Sequence, residues 1–206
     1  MTQSFTQVPP DSTGDKLDMR SRVKGADTLL EQGVYLPGAP SFRVFADSIV
    51  PASNKYHIAV FNQSASAQTL YITGLYCLNL NITAVTGVIN RFDFRRFTGA
   101  PTLTALTPMA FNSADPALTG VTAGHTITAG VTDGVIFQSL LMSSEEQTAV
   151  PTNTQMMLER LNLLQPSNPN QRPFALRPGE GCTVKQNGTG TVGALTWIID
   201  FAVEPD

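Results

Sequence analysis

The sequence predicts an all-β fold, a two-sheet antiparallel sandwich of the jelly-roll kind with eight to ten strands behind an extended N-terminal arm. Apolar and polar residues alternate with a period of two over many short segments, as strands with one buried face require. Turn residues separate these segments at intervals of about 10 positions, drawing on 16 Gly and 14 Pro in all. The chain closes on a long amphipathic segment that sets Leu195, Trp197, Ile199, Phe201 and Val203 against Thr196, Ile198, Asp200 and Ala202.

At 206 residues and 42% hydrophobic content, one well-buried domain is the expected unit. Charged residues make up 14%, against roughly 25% in an ordinary soluble domain, and Thr, Ser, Asn and Gln carry the polar fraction. Surfaces that meet partners are depleted in charge, so a good part of this surface is expected to be covered. A net charge of −3 argues against nucleic acid, which asks for a basic face, and against an anionic membrane surface. The first residues lack a charged start followed by an apolar core, and no stretch approaches about 18 uncharged apolar residues, so a soluble product without an export signal is expected. Cys77 and Cys182 are too few for a disulfide framework and too far apart for a CxxC motif, which makes buried free thiols the expectation over a single bridge.

Residues 1–36 read as the arm and 37–206 as the sandwich domain. Pro9-Pro10 favours extended backbone, and Asp11 to Gly14 is turn chemistry. A brief helical turn is expected from Ala26 to Gln32, capped by Asp27, docked through Leu29 and Leu30, and closed by Gly33. Such an arm is either a disordered tail or a segment that orders only against a neighbour, with Phe5, Val8, Arg20, Arg22, Leu29 and Leu30 as candidate contacts in the second case.

From Ser41 the period changes to two, and FRVFADSI over 42–49 is the first strand, ended by the turn at 51–54. YHIAVFNQ over 56–63 and QTLYITGLYCLNL over 68–80 follow as half-buried strands. INRFDFRRF over 89–97 sets Phe92 and Phe94 on a core face against Arg91, Asp93 and Arg95. Short strands are expected near 103–107 and 121–129, joined by long loops. VIFQSLLM over 135–142 is apolar on both faces, which is consistent with a strand in a sandwich-core position. Over 152–165 a helix fits better than a strand, with a Thr152/Gln155 capping box and Met157, Leu161 and Leu164 on one stripe. Phe174–Leu176 leads into a turn at Pro178-Gly-Glu-Gly181, CTVKQ is the next strand, and Asn187-Gly-Thr-Gly190 is expected as the hairpin turn into the closing strand.

No catalytic, cofactor or metal site is expected. Gly188-x-Gly190-x-x-Gly193 matches a dinucleotide fingerprint in form, but no helix or distant acidic residue follows it. His57, in a strand, and His125, in a Gly-Thr-rich loop, are two scattered histidines where a metal-dependent jelly-roll enzyme needs about three ligands, close in space. Glu145, Glu146, Asp93 and Asp200 offer no evident acid/base pair and read as solvated carboxylates. Arg91, Arg95 and Arg96 form a cluster suited to a partner carboxylate at an interface. The sequons at Asn62, Asn81 and Asn187 carry no weight without secretion.

The arm, the charge-poor Thr/Ala/Gly-rich strands, the ALRPGEGCTVKQ segment and the closing TWIIDFAVEPD together resemble virion structural proteins of tailed bacteriophages, specifically β-sandwich capsid decoration (cement) proteins. The resemblance covers most of the chain and is strongest over 174–204. It implies a non-enzymatic protein made in the host cytoplasm and placed on the capsid surface. It also implies a homotrimer that bridges and stabilises the major capsid protein lattice, with no nucleic acid, membrane, small-molecule substrate or cofactor. The alternative is a receptor- or glycan-binding adhesin of a fibre or tail, which would need an exposed aromatic platform, whereas Trp197 falls on the face expected to be buried.

Overall fold

The computed structural model describes residues 19–24, 27–32, 39–79, 88–144, 162–164 and 174–205. The chain divides into two units, Met1–Gly38 and Ala39–Asp206. In the first, β1 (Met19–Lys24) pairs antiparallel with β2 (Asp27–Gln32), from Met19 opposite Gln32 to Lys24 opposite Asp27. The expected helical turn over 26–32 is therefore corrected to a strand. Gly25 and Ala26 separate two six-residue runs at the spacing of a tight hairpin, and cross-strand pairing overrides the local capping signal.

The second unit is a sandwich of two antiparallel sheets. Its strands are β3 (Ser41–Ile49), β4 (Tyr56–Asn62), β5 (Gln68–Leu78), β6 (Ile89–Thr98), β7 (Thr102–Ala105), β8 (Met109–Ala110), β9 (Val121–Ala129), β10 (Thr132–Ser143), β11 (Phe174–Leu176), β12 (Glu180–Gln186) and β13 (Leu195–Pro205). One sheet has the order β10-β6-β12-β4-β9-β7 and the other β11-β5-β13-β3-β8. Within the sandwich no two consecutive described strands pair; the chain crosses between sheets at most connections. Asn187–Gly190 is accordingly corrected from a hairpin turn to a crossover, because β12 and β13 lie in different sheets. The other turn is as expected: the Glu180 amide donates to the Arg177 carbonyl at 3.0 Å, Pro178 precedes Gly179, and Gly179 has φ of 86°.

The core lies between the sheets. Phe92 and Phe94 of β6 meet Val184 of β12, Ile58 and Val60 of β4, and Trp197, Ile199 and Phe201 of β13, all buried. Two irregularities preserve this face. In β3, Ser48 at φ 51° and a register shift against β13 return Ile49 to the core side after Phe42, Val44 and Ala46. In β4, a shift between Val184 and Lys185 of the partner strand leaves His57 unmatched and turned inward beside Ile58. A smaller cluster of Ala59, Phe61, Phe97 and Ile127 is built from the opposite face of the six-stranded sheet.

Two further expectations change. The 135–142 strand is no central strand: β10 is the margin of its sheet, and Val135, Ile136, Phe137 and Leu141 are exposed. His125 sits in β9 and not in a loop. Most of the expected helix over 152–165 lies outside the described residues, and Asn162–Leu164 form a turn.

Candidate interaction surface

The polar groups of the sandwich are largely committed to one another. Arg91 donates from Nε to Asp93 at 2.9 Å and from a terminal nitrogen to Ser139 at 3.0 Å. Arg95 pairs with Asp133 at 3.0 Å and bonds the Gly134 carbonyl. Arg96 pairs with Glu180 at 3.1 Å and lies 4.2 Å over the Phe174 ring. The three arginines expected as an interface cluster thus brace β6 to β10, β11 and the β12 start. Of the arm candidates, Phe5 and Val8 lie outside the described residues, Arg20 and Arg22 are in β1, and Leu29 and Leu30 are in β2, where Leu29 is opposite Arg22.

Nor are Asp93 and Asp200 solvated, as the sequence suggests. Asp93 is buried and accepts from Arg91, Ser139 and Asn187. Burial pushes its carboxyl up, but these bonds outweigh that and hold it below the ordinary value. Asp200 takes a bidentate bond from Arg43 at 2.7 and 2.8 Å. Both are buried because alternation on a strand specifies a face, while the depth of that face depends on the neighbouring strands. Glu145 and Glu146 lie outside the described residues.

On the outer face of the six-stranded sheet, which Asp93 shares, Asp133 accepts from the Tyr56 hydroxyl at 2.9 Å and from Lys185 at 2.7 Å. Lys185 would be lowered by burial, but hydrogen bonds to Asp133 and Tyr56 raise it, so it stays an ammonium and not a nucleophilic amine. His57 is completely buried, edge-on to Phe92 and Trp197, with Nε2 3.2 Å from Gln186 Oε1. Gln186 donates to Gly190 O at 2.7 Å and to Gly188 O at 3.3 Å. Two of the three glycines of the dinucleotide-like motif, Gly188 and Gly190, thus accept from Gln186, and a Cβ on Gly190 would lie 2.4 Å from Asn90 Oδ1. Trp197 is wholly buried and presents no platform to a sugar. Among the described residues, no group of three or more His, Cys, Asp or Glu could hold a metal ion. Cys77 and Cys182 are free, Cys182 buried and Cys77 partly so, and burial pushes both thiols up to about 12.

What stands open is a sheet margin. Of the four margin strands, β7 has 4 residues, β8 has 2 and β11 has 3, whereas β10 has 12. Short margins are a standard protection against unwanted pairing. β5 gains further cover from the Asn162–Leu164 turn, where Leu163 N donates to Leu75 O at 2.7 Å and Asn162 bonds Leu75 N and Thr73 O. β10 has no such cover along Val135–Met142 among the described residues. Val135 is 76% exposed, Leu141 73% and the neighbouring Ile89 of β6 72%, and from Gly134 to Ser143 the strand holds no charge. A cleft of about 390 Å³ between Val88–Arg91 and Asn187–Gly190 continues the surface past Leu141. The sequence pattern located these apolar residues but assigned them to a core, because apolarity alone does not tell a buried face from an exposed one.

Comparison with protein-family models, with curated proteins and with solved structures finds no match for the chain.

Proposed function

We propose that the chain is a non-enzymatic structural protein that works by docking against other protein surfaces, and that its assembly is a virion shell, where it serves as a capsid decoration protein. The observation that carries the docking reading is the β10 margin: among the described residues it is a long marginal strand with outward Val135 and Leu141 and no charge from Gly134 to Ser143, where the other marginal strands have 4 residues or fewer. A charge content of 14% supports it, since interface cores are depleted in charge. So does the internal pairing of Arg91, Arg95, Arg96, Asp93 and Lys185, which leaves packing and backbone pairing as the means of contact. The virion part rests on the resemblance of the 174–204 segment and the strand composition to tailed-phage decoration proteins.

The mechanism is linkage. A protein that binds only an assembled lattice stabilises it by RT ln(1 + [L]/Kd) at each site, and the repetition of sites multiplies the effect. Mass spectrometry and cryo-electron microscopy of purified particles from the source of the chain test this, with density for the sandwich expected on the outside of the shell. Its absence from particles would overturn the virion reading.

A further inference from the structure

We propose that β10 pairs antiparallel with β10 of a second copy of this chain across a two-fold axis, joining the two six-stranded sheets into one. The inference rests on the docking reading above and names the partner.

Geometry singles out the occupant. The β10–β6 register shifts twice between Asp133 and Gln138 and is regular from Gln138 to Ser143. A bulged first half is a poor template, so the pairing stretch is Gln138–Met142. A strand edge that meets its own copy antiparallel obeys two-fold symmetry, and the contact is isologous and closed. An axis through Leu140 sets Gln138 opposite Met142 and Ser139 opposite Leu141 of the second copy. Facing residues then share a face, as antiparallel pairing demands: Ser139 and Leu141 lie on the outer side with Asp93 and Arg91, and Leu140 lies on the core side with Phe92. Leu141, otherwise exposed, is covered by the neighbouring copy.

Charge agrees. An uncharged edge has nothing to attract an acidic or basic partner, and against itself it brings no like charges together. Among the described residues, the charges that flank Gln138–Met142 most closely, Arg91 and Asp93, stand on β6. The two β6 strands would be three strand spacings apart, about 14 Å. That exceeds the screening length of about 8 Å at physiological salt. Once β10 is paired, the strands left at the margins of each copy, β7, β8 and β11, are 4 residues or shorter and offer little template for further addition, and the isologous contact is itself closed at two copies. The expected number is thus two, where the resemblance implies three.

The test is sedimentation velocity and native mass spectrometry of the full chain from low to high micromolar concentration, beside Leu141→Lys. A monomer–dimer equilibrium is expected, with self-association weakened by about tenfold or more in the variant, equivalent to ~1.4 kcal/mol. Because Leu141 is exposed, the melting temperature of the isolated variant should stay unchanged. As a measurement on the native sequence, amide exchange over Gln138–Met142 should slow as concentration rises. A trimer, a monomer at every concentration, or a dimer indifferent to Leu141→Lys overturns the inference. If the native chain is monomeric yet Leu141→Lys no longer joins particles, β10 docks a different protein and the docking reading stands. If the variant also joins particles normally, both fall.

Discussion

Gly181 shows how one atom can decide a packing arrangement. It faces Phe97 across the β12–β6 pair, and a Cβ there would lie 2.2 Å from the ring. Phe97 is completely buried and stacked on Phe61 at 5.8 Å, so it has no room to move. Gly181→Ala should cost about 2 kcal/mol by overpacking, read as a lower midpoint in urea unfolding. His57 makes a different kind of prediction. Burial lowers its imidazole from 6.5 to about 4, against a weaker opposing hydrogen bond to Gln186. The unfolded chain binds the proton more readily, so this contribution to stability is complete above pH 6.5 and is lost as pH falls toward 4. The loss should total about 3 kcal/mol across that window. His125, also lowered by burial, adds in the same direction. Asp93 and Asp133, held below their ordinary 3.8, add a separate loss only at lower pH. Urea unfolding at pH 7 and pH 4.5 should show the first loss, and His57→Gln should flatten it.

Among elements, margins differ more than centres. β5 is covered by β11 along Leu70–Ile72 and by Asn162 and Leu163 at Thr73 and Leu75. Asn162→Ala removes the bond to the Leu75 amide and the bond to the Thr73 carbonyl, and should destabilise the sandwich by about 1–2 kcal/mol in urea unfolding without changing self-association. Of two strands inside their sheets, β13 was legible because one full face of it is apolar, and β12 because CTVKQ follows a strong turn and alternates Cys182 and Val184 with Thr183 and Lys185. β7 and β8 were harder: four and two residues are too few to display a period. The β2 half of the hairpin was read as a helical turn because Asp27 and Gly33 mimic a cap and a stop, and such local signals outweigh pairing only in isolation. β10 was found as a strand and misplaced as a central one.

For the whole molecule, connectivity is the dominant fact. Since no consecutive described strands of the sandwich pair, every sheet contact closes a long loop before it gains anything. Refolding from urea should therefore be slow, with a time constant of ~1 s or more, followed by the fluorescence of Trp197, the single and fully buried tryptophan. With both cysteines free, a reducing agent should leave the melting temperature unchanged, and native Cys182 should resist alkylation. On the decoration reading, a chain shortened to 37–206 should fold yet bind a lattice more weakly; unchanged occupancy of particles would remove the arm from the mechanism.

Most strands of the sandwich and the aromatic centre of its core follow from the chain alone, since a period of two and β-branched or aromatic content are properties of neighbouring residues. Phe92, Phe94, Trp197, Ile199 and Phe201 were assigned to the core on that ground, and all are buried. Partnership is different. That β10 lies at a margin, that Arg91, Arg95 and Arg96 are braced internally, and that Asp93 and His57 are buried all depend on strands far away in sequence. Periodicity tells a strand which side to bury but holds no information about which strand lies beside it. The open edge at β10, where the candidate function resides, came into view only when the sheets were assembled.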